Sequence, residues 1–515
     1  MAGERQGKCV NIGNCSLADK RETITTKAGQ DFVCPECGKG LVLATSAVSA
    51  PNPTRRNAIV LGGVALLALA GGGLALRSCG HGGTTTGQVT GASTAAVADG
   101  AEATLRLGGS NTIGAKLAPA LITAYFKDLG CGDVKSSAPA ADETVISCDA
   151  AGRHLSATVS AHGSSTAFEG LADAKFDIGM ASRRVKPEEA AKLKSLGDMT
   201  SPSNEHVLGL DGIAVIIHPA NRVAKLTVDQ VGAIFTGVVT DWKQVGGTPG
   251  AIAVYARDDK SGTYDTFKSL VLNKTPLVAG AKRFEDSGEL SSGVANDTRG
   301  VGFVGLSSIG GSKAVPVGPA GSTPLVPNRM TVGTEDYALS RRLFLYTGQT
   351  SAKSDVAKFI EFANSTKGQA AVEAAGFVPL TIRQEKTTVV ATAPTDYSAL
   401  VSNALRLSVD FRFRTGSSDP DNRGLKDLDR VTEFLSSSSV QTDRLMLFGF
   451  ADSRGADALN QKLSEGRAAA VSGALAQRGV KAGVVRGFGK ALPVADNSTP
   501  EGQDKNRRVE VWVKR

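Results

Sequence analysis

The fold is indicated most clearly by the stretch Arg257-Asp-Asp-Lys-Ser-Gly-Thr263. This stretch connects a predicted strand to a helix that begins near Tyr264. Gly108-Gly-Ser-Asn-Thr-Ile-Gly114 and Ala161-His-Gly-Ser-Ser-Thr-Ala-Phe168 repeat this arrangement nearer the N-terminus. Backbone N–H groups at a helix start have no partner inside the helix and point at whatever lies in front of them. Each turn taken alone is more often an ordinary helix cap. Together, the three hydroxyl-rich helix starts can converge on one small anion.

The surrounding sequence predicts an α/β domain over residues 103–382. Short β-rich runs are followed by helical runs, with Gly, Ser and Thr at the turns between them. Leu105-Arg-Leu, for example, leads through a glycine-rich turn into an apolar-periodic helix from Lys116 to Phe126.

Further motifs along this domain indicate which α/β fold it has. They are Asp177-Ile-Gly-Met-Ala-Ser-Arg183, Ile234-Phe-Thr-Gly237 with Asp241-Trp242, Val301-Gly-Phe-Val-Gly-Leu306, and Gly368-Gln369 with Gly376-Phe-Val-Pro379. In this order, and with the stretch from Arg257 to Thr263, they closely resemble the periplasmic phosphate-binding proteins of ABC transporters. The resemblance implies a periplasmic-binding-protein fold, in which two α/β lobes joined by two crossing segments close on a dehydrated anion. No metal or other cofactor is expected in the cleft.

The resemblance also implies an anion site, carried over position by position. Its residues are Ser110, Thr112, Ile113, Ser164, Ser182, Arg183, Arg257, Ser261, Gly262 and Thr263. Arg257 would supply charge and forked donors, and the hydroxyls and backbone amides would add donors without further charge.

Arg183 departs from the pattern of the family. In much of the family this position, after Ser182, is an aspartate that accepts the proton of hydrogen phosphate. Sulfate carries no such proton, so the usual reason for excluding sulfate is missing unless Asp177 or another carboxylate takes the role. Phosphate stays the favoured anion, and other oxyanions stay open. Two roles stay open for Arg183: direct ligation of the anion, and a salt bridge on the surface or between the lobes.

Residues 400–515 are predicted to form a separate domain after a polar linker at 383–399. Leu405-Arg-Leu-Ser-Val-Asp-Phe-Arg-Phe413 alternates as a strand does, and a β-α-β-α-β pattern follows. Three motifs, Gly449-Phe-Ala-Asp452, Asn460-Gln-Lys-Leu-Ser-Glu-Gly-Arg-Ala468 and Asn506-Arg-Arg-Val-Glu-Val511, closely resemble the OmpA-like peptidoglycan-binding domain, which has an α+β fold.

This second resemblance implies a ligand for the C-terminal domain. Asp452 and Arg467 would bind the zwitterionic end of diaminopimelate in the peptide stem, a carboxylate meeting the ammonium and a guanidinium meeting the carboxylate. A solvated ion pair is the ordinary alternative for two such residues. Arg507 and Arg508 either assist this site or keep an edge strand soluble.

Residues 57–76 form an uncharged apolar run close to the ~20 residues that cross a bilayer as a helix. Lys and Arg occur throughout the preceding residues and are nearly absent after the run. The positive-inside rule therefore predicts an uncleaved, single-pass inner-membrane anchor with a cytoplasmic N-terminus and a periplasmic remainder. A flexible linker, 81–102, is expected to follow.

The cysteines agree with this topology. Cys34-Pro-Glu-Cys37 and the upstream pair Cys9 and Cys15 predict a zinc-ribbon-like segment, residues 1–50, with a structural zinc ion. Thiols free to hold zinc imply a reducing compartment, whereas four free thiols on a disordered tail are the alternative.

Two cysteines beyond the anchor, Cys131 and Cys148, would form a disulfide in an oxidising periplasm. Cys79 is left over, as a free thiol or an intermolecular partner.

Composition limits the remaining functions. The chain has 515 residues and a formal net charge of +8, but its basic residues are scattered, which argues against nucleic-acid binding. The exported part has no metal-ligand cluster and no histidine in a nucleophile–base arrangement, so an enzyme is not expected.

The favoured function is therefore an anchored envelope protein that binds phosphate, or a similar oxyanion, and peptidoglycan, for phosphate uptake or sensing. An ABC permease is a further possible partner. Two alternatives stay open: a scaffold or signalling protein that acts through the zinc ribbon, and a periplasmic phosphate-ester hydrolase that uses a serine near Arg257.

Overall fold

The structure is a computed structural model that describes residues 5–8, 22–26, 33–36 and 41–43, and residues 105–515 except 260, 274, 349–353, 414–418 and 439. The chain divides into two compact units, Met1–Gly100 and Ala101–Arg515. The predicted anchor 57–76 and linker 81–102 lie outside the described residues. No helix within the described ranges has the length and apolar character needed to cross a membrane.

The first unit contains a small antiparallel sheet. Its strands are Arg5–Lys8, Thr23–Thr26 and Val42–Leu43, with Arg5–Lys8 in the centre. Cys34 is buried. The other three predicted zinc ligands, Cys9, Cys15 and Cys37, lie outside the described residues, so the zinc site stays a prediction.

A sheet of eleven strands runs through both lobes of the second unit. In chain order its strands are Leu105–Gly109, Lys135–Ser137, Glu143–Ala150, Arg153–Ser160, Ile178–Ala181, Glu205–Ile217, Ala253–Arg257, Lys282–Phe284, Gly300–Gly305, Lys313–Ala314 and Ser340–Thr347. Leu226–Thr227 and Val317–Gly318 form a separate parallel pair.

Helices cover this sheet, as the α/β pattern predicts. They are Ala118–Asp128, Ser164–Ala172, Pro187–Lys192, Val228–Phe235, Gly262–Phe267, Ser287–Ala295, Arg329–Gly333, Ser354–Asn364 and Thr366–Ala374. Shorter 3-10 turns are Lys194–Leu196, Trp242–Val245 and Leu306–Ser308, and π-helical turns are Ile113–Leu117 and Lys268–Leu272.

Two long strands, Glu205–Ile217 and Ser340–Thr347, join the lobes. They pair antiparallel with each other, and every residue from 205 to 217 is buried. Burial of every residue in turn is typical of a strand covered on both faces. Ser340–Thr347 continues the sheet into the first lobe through Ile178–Ala181, and Glu205–Ile217 continues it into the second through Gly300–Gly305. These hinge strands are the two crossing segments that the two-lobed fold requires, and that prediction is confirmed.

The C-terminal domain is a five-stranded sheet with helices, the α+β architecture predicted for it. Across the sheet the strands are Gln384–Glu385, Ala404–Arg412, Arg508–Lys514, Leu445–Gly449 and Val484–Gly487. The helices are Thr395–Val401, Asn422–Ser437, Asp457–Ala476 and Pro500–Asn506, with a 3-10 turn at Thr442–Arg444.

The segment predicted as a linker, 383–399, holds regular structure. Gln384–Glu385 is an edge strand of the C-terminal sheet, and Thr395–Val401 is a helix. The two domains also contact each other directly, since Arg342 in a hinge strand pairs with Asp421 of the C-terminal domain at 2.5 Å.

Cys131 and Cys148 form a disulfide. It ties the end of the helix Ala118–Asp128 to the strand Glu143–Ala150.

Candidate functional site

A cavity of about 480 Å³, which we call the cleft, lies between the lobes where the strand Ala253–Arg257 ends. Five of the ten residues predicted to hold an anion line it together, namely Thr112, Arg257, Ser261, Gly262 and Thr263. They come from two of the three hydroxyl-rich helix starts.

Ser261 positions one wall of the cleft. Its backbone is extended, its side chain is buried, and its hydroxyl accepts a hydrogen bond from the N–H of Tyr264 at 3.4 Å. This is the usual geometry of a helix N-cap. The residues that follow it, Gly262 and Thr263, therefore lie at the helix start, where backbone donors have no partner inside the helix.

The two lobes touch at Thr112 and Gly262. The Thr112 hydroxyl donates to the Gly262 carbonyl at 3.0 Å. A Cβ atom on residue 262 would lie 2.4 Å from the Cα of Thr112, so the lobes can approach this closely only if that residue is glycine.

Arg257 is held by the loop on the other side of the cleft. Its Nη2 donates to the carbonyl of Glu285 at 2.6 Å, its Nε donates to the carbonyl of Phe284 at 3.3 Å, and its Nη1 donates to the hydroxyl of Ser287. Burial lowers the pKa of Arg257 below its ordinary value. The guanidinium is thus partly desolvated and oriented by backbone carbonyls, which strengthens its field in the cleft.

A second buried arginine, Arg341, lies where Thr112 meets Gly262. This residue was not predicted from the sequence. Its Nη2 donates to the Thr112 hydroxyl at 2.5 Å and to the Gly262 carbonyl at 3.4 Å. Its Nε lies 3.5 Å from Asp211 Oδ2, and burial lowers the pKa of Arg341. The sequence does contain a signal for a functional arginine, because Arg341 and Arg342 stand near the start of a strand that continues with apolar residues.

Carboxylates outnumber cations on the walls of the cleft. Asp211, Asp258, Glu285 and Asp286 line it with Lys116 and Arg257. Asp258 Oδ1 is buried and has no hydrogen-bond partner among the described residues. An anion here would be held by directional donors, against a background of negative charge.

Ser164 and Ser182 form hydrogen bonds with each other, and neither is among the described residues that line the cleft. The Ser182 N–H donates to the Ser164 hydroxyl at 3.0 Å, and the two hydroxyls are 3.2 Å apart. The two serines therefore form one hydroxyl pair that links the helix Ser164–Ala172 to the end of the strand Ile178–Ala181.

Arg183 forms a bidentate salt bridge with Glu189. Its Nη1 and Nη2 donate to the two carboxylate oxygens of Glu189 at 2.8 and 2.6 Å, and its guanidinium lies 5.3 Å from the ring centre of Phe168. Burial would raise the pKa of Glu189, but the bonds from Arg183 outweigh this and lower it. Of the two roles that the sequence left open, the structure contains the salt bridge.

Ser110 and Ile113 are buried in the first lobe. The Ser110 N–H donates to the carbonyl of Met180 at 2.8 Å, and its carbonyl accepts from the N–H of Gly114. These bonds fix the turn that presents Thr112 to the second lobe.

The predicted pair in the C-terminal domain is held in place by separate partners. Asp452 accepts from Arg507 Nη1 at 2.7 Å and from the N–H of Arg454 at 2.9 Å. Arg467 Nη1 donates to the carbonyl of Phe450 at 3.2 Å, and its Nε has no hydrogen-bond partner among the described residues. Burial lowers the pKa of Arg467 to about 10, so it is charged at neutral pH.

Two family models match the parts of the chain that hold these sites. A family model described as a PBP superfamily domain matches residues 135–367, and one described as the OmpA family matches residues 412–507. The chain is 31% identical over 243 residues to protein SphX of Synechococcus elongatus, a match that covers 44% of this chain and 70% of that protein. The phosphate-binding protein PstS of Staphylococcus aureus is 30% identical over 236 residues, with the same coverage. The chain belongs to the family of phosphate-binding proteins.

A solved structure of a possible phosphate-binding protein from Planctomyces limnophilus also matches, at 24% identity and a TM-score of 0.44, over 54% of this chain and 92% of that one. The match to the OmpA family covers Asp452, Arg467 and Arg507. The cleft between the lobes is the candidate site of the first domain, and the residues that match the OmpA family model lie in the same compact unit.

Proposed function

We propose that this chain is a binding protein of the cell envelope that holds a phosphate-like oxyanion in its cleft and peptidoglycan through its C-terminal domain. The observation that carries the first half is the meeting of Thr112, Arg257, Ser261, Gly262 and Thr263 in one cavity of a phosphate-binding-family fold. Directional donors and one or two guanidinium groups suffice to hold an oxyanion, so neither a metal nor a chemical step is part of the proposal.

Phosphate is the favoured anion because of the acidic lining of the cleft. Hydrogen phosphate carries a proton that a carboxylate can accept, whereas sulfate would meet only repulsion from the same group. Asp258 is the best-placed acceptor, since Oδ1 is buried without a partner among the described residues. Asp177, the alternative from the sequence, pairs with Arg106 at 2.9 Å.

The anion would compete with the protein's own contact between the lobes. Thr112 and Arg341 both donate to the Gly262 carbonyl. An oxyanion is a stronger acceptor than a carbonyl, so it would draw these donors to itself and bridge the lobes.

The second half rests on Asp452 and Arg467. The carboxylate of Asp452 is oriented by Arg507 and suits the ammonium of an amino-acid head group. The guanidinium of Arg467 has an unused donor, Nε, and suits the carboxylate of the same head group. The OmpA-family match over residues 412–507 supports diaminopimelate in the peptide stem as the ligand.

The proposal extends to the N-terminal residues on sequence grounds. The apolar run 57–76 supports an inner-membrane anchor with a cytoplasmic N-terminus and a periplasmic remainder, and the four cysteines before it support a structural zinc ion. A protein fixed at the membrane and at the cell wall is better suited to sensing or retaining phosphate than to carrying it freely to an ABC permease.

Thermal unfolding of the full chain with and without phosphate tests the cleft. A ligand at about 100 times its Kd stabilises the native state by about 2.7 kcal/mol, so phosphate should raise the unfolding temperature. Arg257→Gln should abolish this increase. Arg299→Gln, which removes an exposed arginine paired with Asp297 in the same lobe, should leave it unchanged. An equal increase in both variants would contradict the proposal.

A further inference from the structure

A second cavity, which we call the junction cavity, lies where the two lobes, a hinge strand and the C-terminal domain meet. Its volume is about 420 Å³, within the usual range of small-molecule sites. Ser182 of the first lobe and Ser269 of the second line it opposite Phe413 and Lys505 of the C-terminal domain. Arg341 also lines it and therefore stands between this cavity and the cleft.

Positive charge exceeds negative charge on its walls. The six cationic side chains are Arg183, Arg184, Arg341, Arg342, Arg412 and Lys505. The three carboxylates are those of Glu335, Asp421 and Asp504. This balance is opposite to that of the cleft.

Four of the cations have carboxylate partners that account for them. Arg183 pairs with Glu189, Arg341 lies near Asp211, and Arg184 and Arg342 both pair with Asp421. Of the two contributed by the C-terminal domain, Arg412 also pairs with carboxylates, Asp336 at 3.0 Å and Asp410 at 3.5 Å, whereas Lys505 pairs with none among the described residues.

Arg412 is buried with donors to spare. Its Nη2 donates to the carbonyl of Thr334 at 2.5 Å and to Asp336 at 3.0 Å. Its Nε and Nη1 are buried and have no hydrogen-bond partner among the described residues, and the whole residue is only 5% exposed. Burying a guanidinium with unused donors is unfavourable unless an acceptor reaches it.

Lys505 lacks a carboxylate partner. Its ammonium lies 3.3 and 3.5 Å from the carbonyls of Tyr337 and Ala338, and it makes no ion pair with any described residue. Burial lowers the pKa of Lys505 to about 8. An anion in the cavity would supply the missing partner of Lys505 and an acceptor for the unused donors of Arg412.

The junction cavity also adjoins the predicted peptidoglycan pair. Phe413 lines the cavity, and the guanidinium of Arg467 lies 5.6 Å from the centre of its ring. On the other side, Asp504 lines the cavity and pairs with Arg507, which in turn bonds to Asp452.

We propose that the junction cavity is a second oxyanion site, separate from the cleft, and that Lys505 and Arg412 hold the anion. A carboxylate of the peptide stem bound at Asp452 and Arg467 is the nearest source of that oxyanion, and free phosphate is the other source. The first source rests on the proposed function of the C-terminal domain, whereas the second does not depend on it.

Equilibrium dialysis of the full chain against labelled inorganic phosphate tests one source, and titration with a diaminopimelate-containing stem peptide tests the other. The decisive variant is Lys505→Gln. It removes the ammonium charge without leaving an unpaired carboxylate, because Lys505 contacts only the carbonyls of Tyr337 and Ala338 among the described residues. Lys426→Gln is the matched control, because Lys426 is another partly buried lysine of the same domain whose pKa desolvation lowers, and it lines a different cavity beside His206. Lys505→Arg restores the charge.

If phosphate is the ligand, the chain binds two phosphates. Lys505→Gln then weakens one of them at least tenfold, and Ser261→Ala weakens the other. If the stem carboxylate is the ligand, Lys505→Gln weakens the peptide at least tenfold, and one phosphate binds. In either case Lys426→Gln has no effect and Lys505→Arg retains binding.

The proposal is overturned if Lys505→Gln binds phosphate and peptide with the same number and affinity as the unchanged chain, or if Lys426→Gln weakens binding equally. Failure of the proposed cleft function has a different signature, namely the absence of any phosphate whose binding depends on Ser261.

Discussion

Gly262 shows how one residue sets the distance between the lobes. The space that a Cβ atom would need is occupied by the backbone of Thr112. A side chain at this position would hold the lobes apart, and the donors at the helix start would no longer face Thr112 and Arg341 across the cleft.

We therefore expect Gly262→Ala to weaken phosphate binding at least tenfold, or about 1.4 kcal/mol, because the donors of the two lobes no longer converge. Calorimetry of the full chain measures this effect. Gly250→Ala is the control, since a Cβ there would meet no atom within 4 Å. Unchanged affinity in Gly262→Ala would show that the anion does not lie between the lobes.

Asp258 should determine which oxyanion binds. Asp258→Asn removes the carboxylate that would accept the proton of hydrogen phosphate and repel sulfate, so the preference for phosphate over sulfate should fall at least tenfold. Competition of sulfate against labelled phosphate measures the preference. Asp259→Asn, which alters an exposed neighbour paired with Arg283, should preserve it. If Asp258→Asn keeps the preference of the unchanged chain, another group selects the anion.

Asp452 and Arg467 should act together on peptidoglycan. Asp452→Asn and Arg467→Gln should each reduce co-sedimentation with isolated cell-wall sacculi at least tenfold, because each removes one of the two charges that match the head group. Asp457→Asn changes an exposed aspartate of the same domain that pairs with Lys490, and it should sediment normally. Normal sedimentation of both site variants would contradict a role of Asp452 and Arg467 in binding peptidoglycan.

At the scale of elements, the hinge strand Ser340–Thr347 links the cleft to the C-terminal domain. Neighbouring side chains in a strand point to opposite faces. Arg341 accordingly contacts Thr112 in the cleft, while Arg342 binds Glu335 at 2.9 Å and Asp421 at 2.5 Å. A movement of this strand would therefore change contacts both in the cleft and with the C-terminal domain.

These ion pairs give the junction a defined response to acid. Burial would raise the pKa of Glu335, but Arg342 and Arg423 outweigh it and hold the pKa at about 2. The pKa of Asp421 is likewise held at about 2, by Arg342 and Arg184, against the effect of burial. Because both pKa values are depressed, the pairs stabilise the fold fully above about pH 4.5 and lose this effect as the pH falls towards 2.

Acid unfolding of the full chain followed by circular dichroism should therefore show a loss of stability between about pH 4.5 and 2. Glu335→Gln should be less stable at neutral pH and should lose less stability over this range, since one of the carboxylates with a depressed pKa is gone. Glu361→Gln, on a helix outside this cluster, serves as the control. An identical acid profile for Glu335→Gln and the unchanged chain would contradict the assignment.

The elements of the fold were largely predictable, because their signals are local. Apolar alternation and glycine-rich turns mark the strands and helix starts, and the family motifs set their order. The segment 383–399 was harder, since its polar sequence gives no sign that Gln384–Glu385 pairs with the C-terminal sheet or that a helix starts at Thr395. Such pairing is decided by distant residues.

The candidate site was predictable only in part, for the same reason. Thr112, Arg257 and Ser261 lie in motifs and meet as expected. Arg341 lies far along the chain in a hinge strand, and only the fold brings it to Thr112. The partner of Arg183 likewise depends on where the helix that carries Glu189 packs.

At the scale of the whole molecule, two binding domains share one compact unit. Arg342 and Arg412 join them through buried ion pairs with Asp421 and Asp336. Buried pairs of this kind cost stability when one partner is removed, so they hold the domains in a fixed relation. A C-terminal domain that is fixed against the hinge strands, and that binds the cell wall as we propose, suits a protein that senses or retains phosphate at one place in the envelope.

Isothermal titration calorimetry of the full chain with phosphate measures whether the cleft binds this anion. We expect micromolar or tighter binding that Ser261→Ala weakens at least tenfold, with sulfate binding less tightly. Binding no tighter than millimolar for phosphate, sulfate and arsenate alike would contradict it.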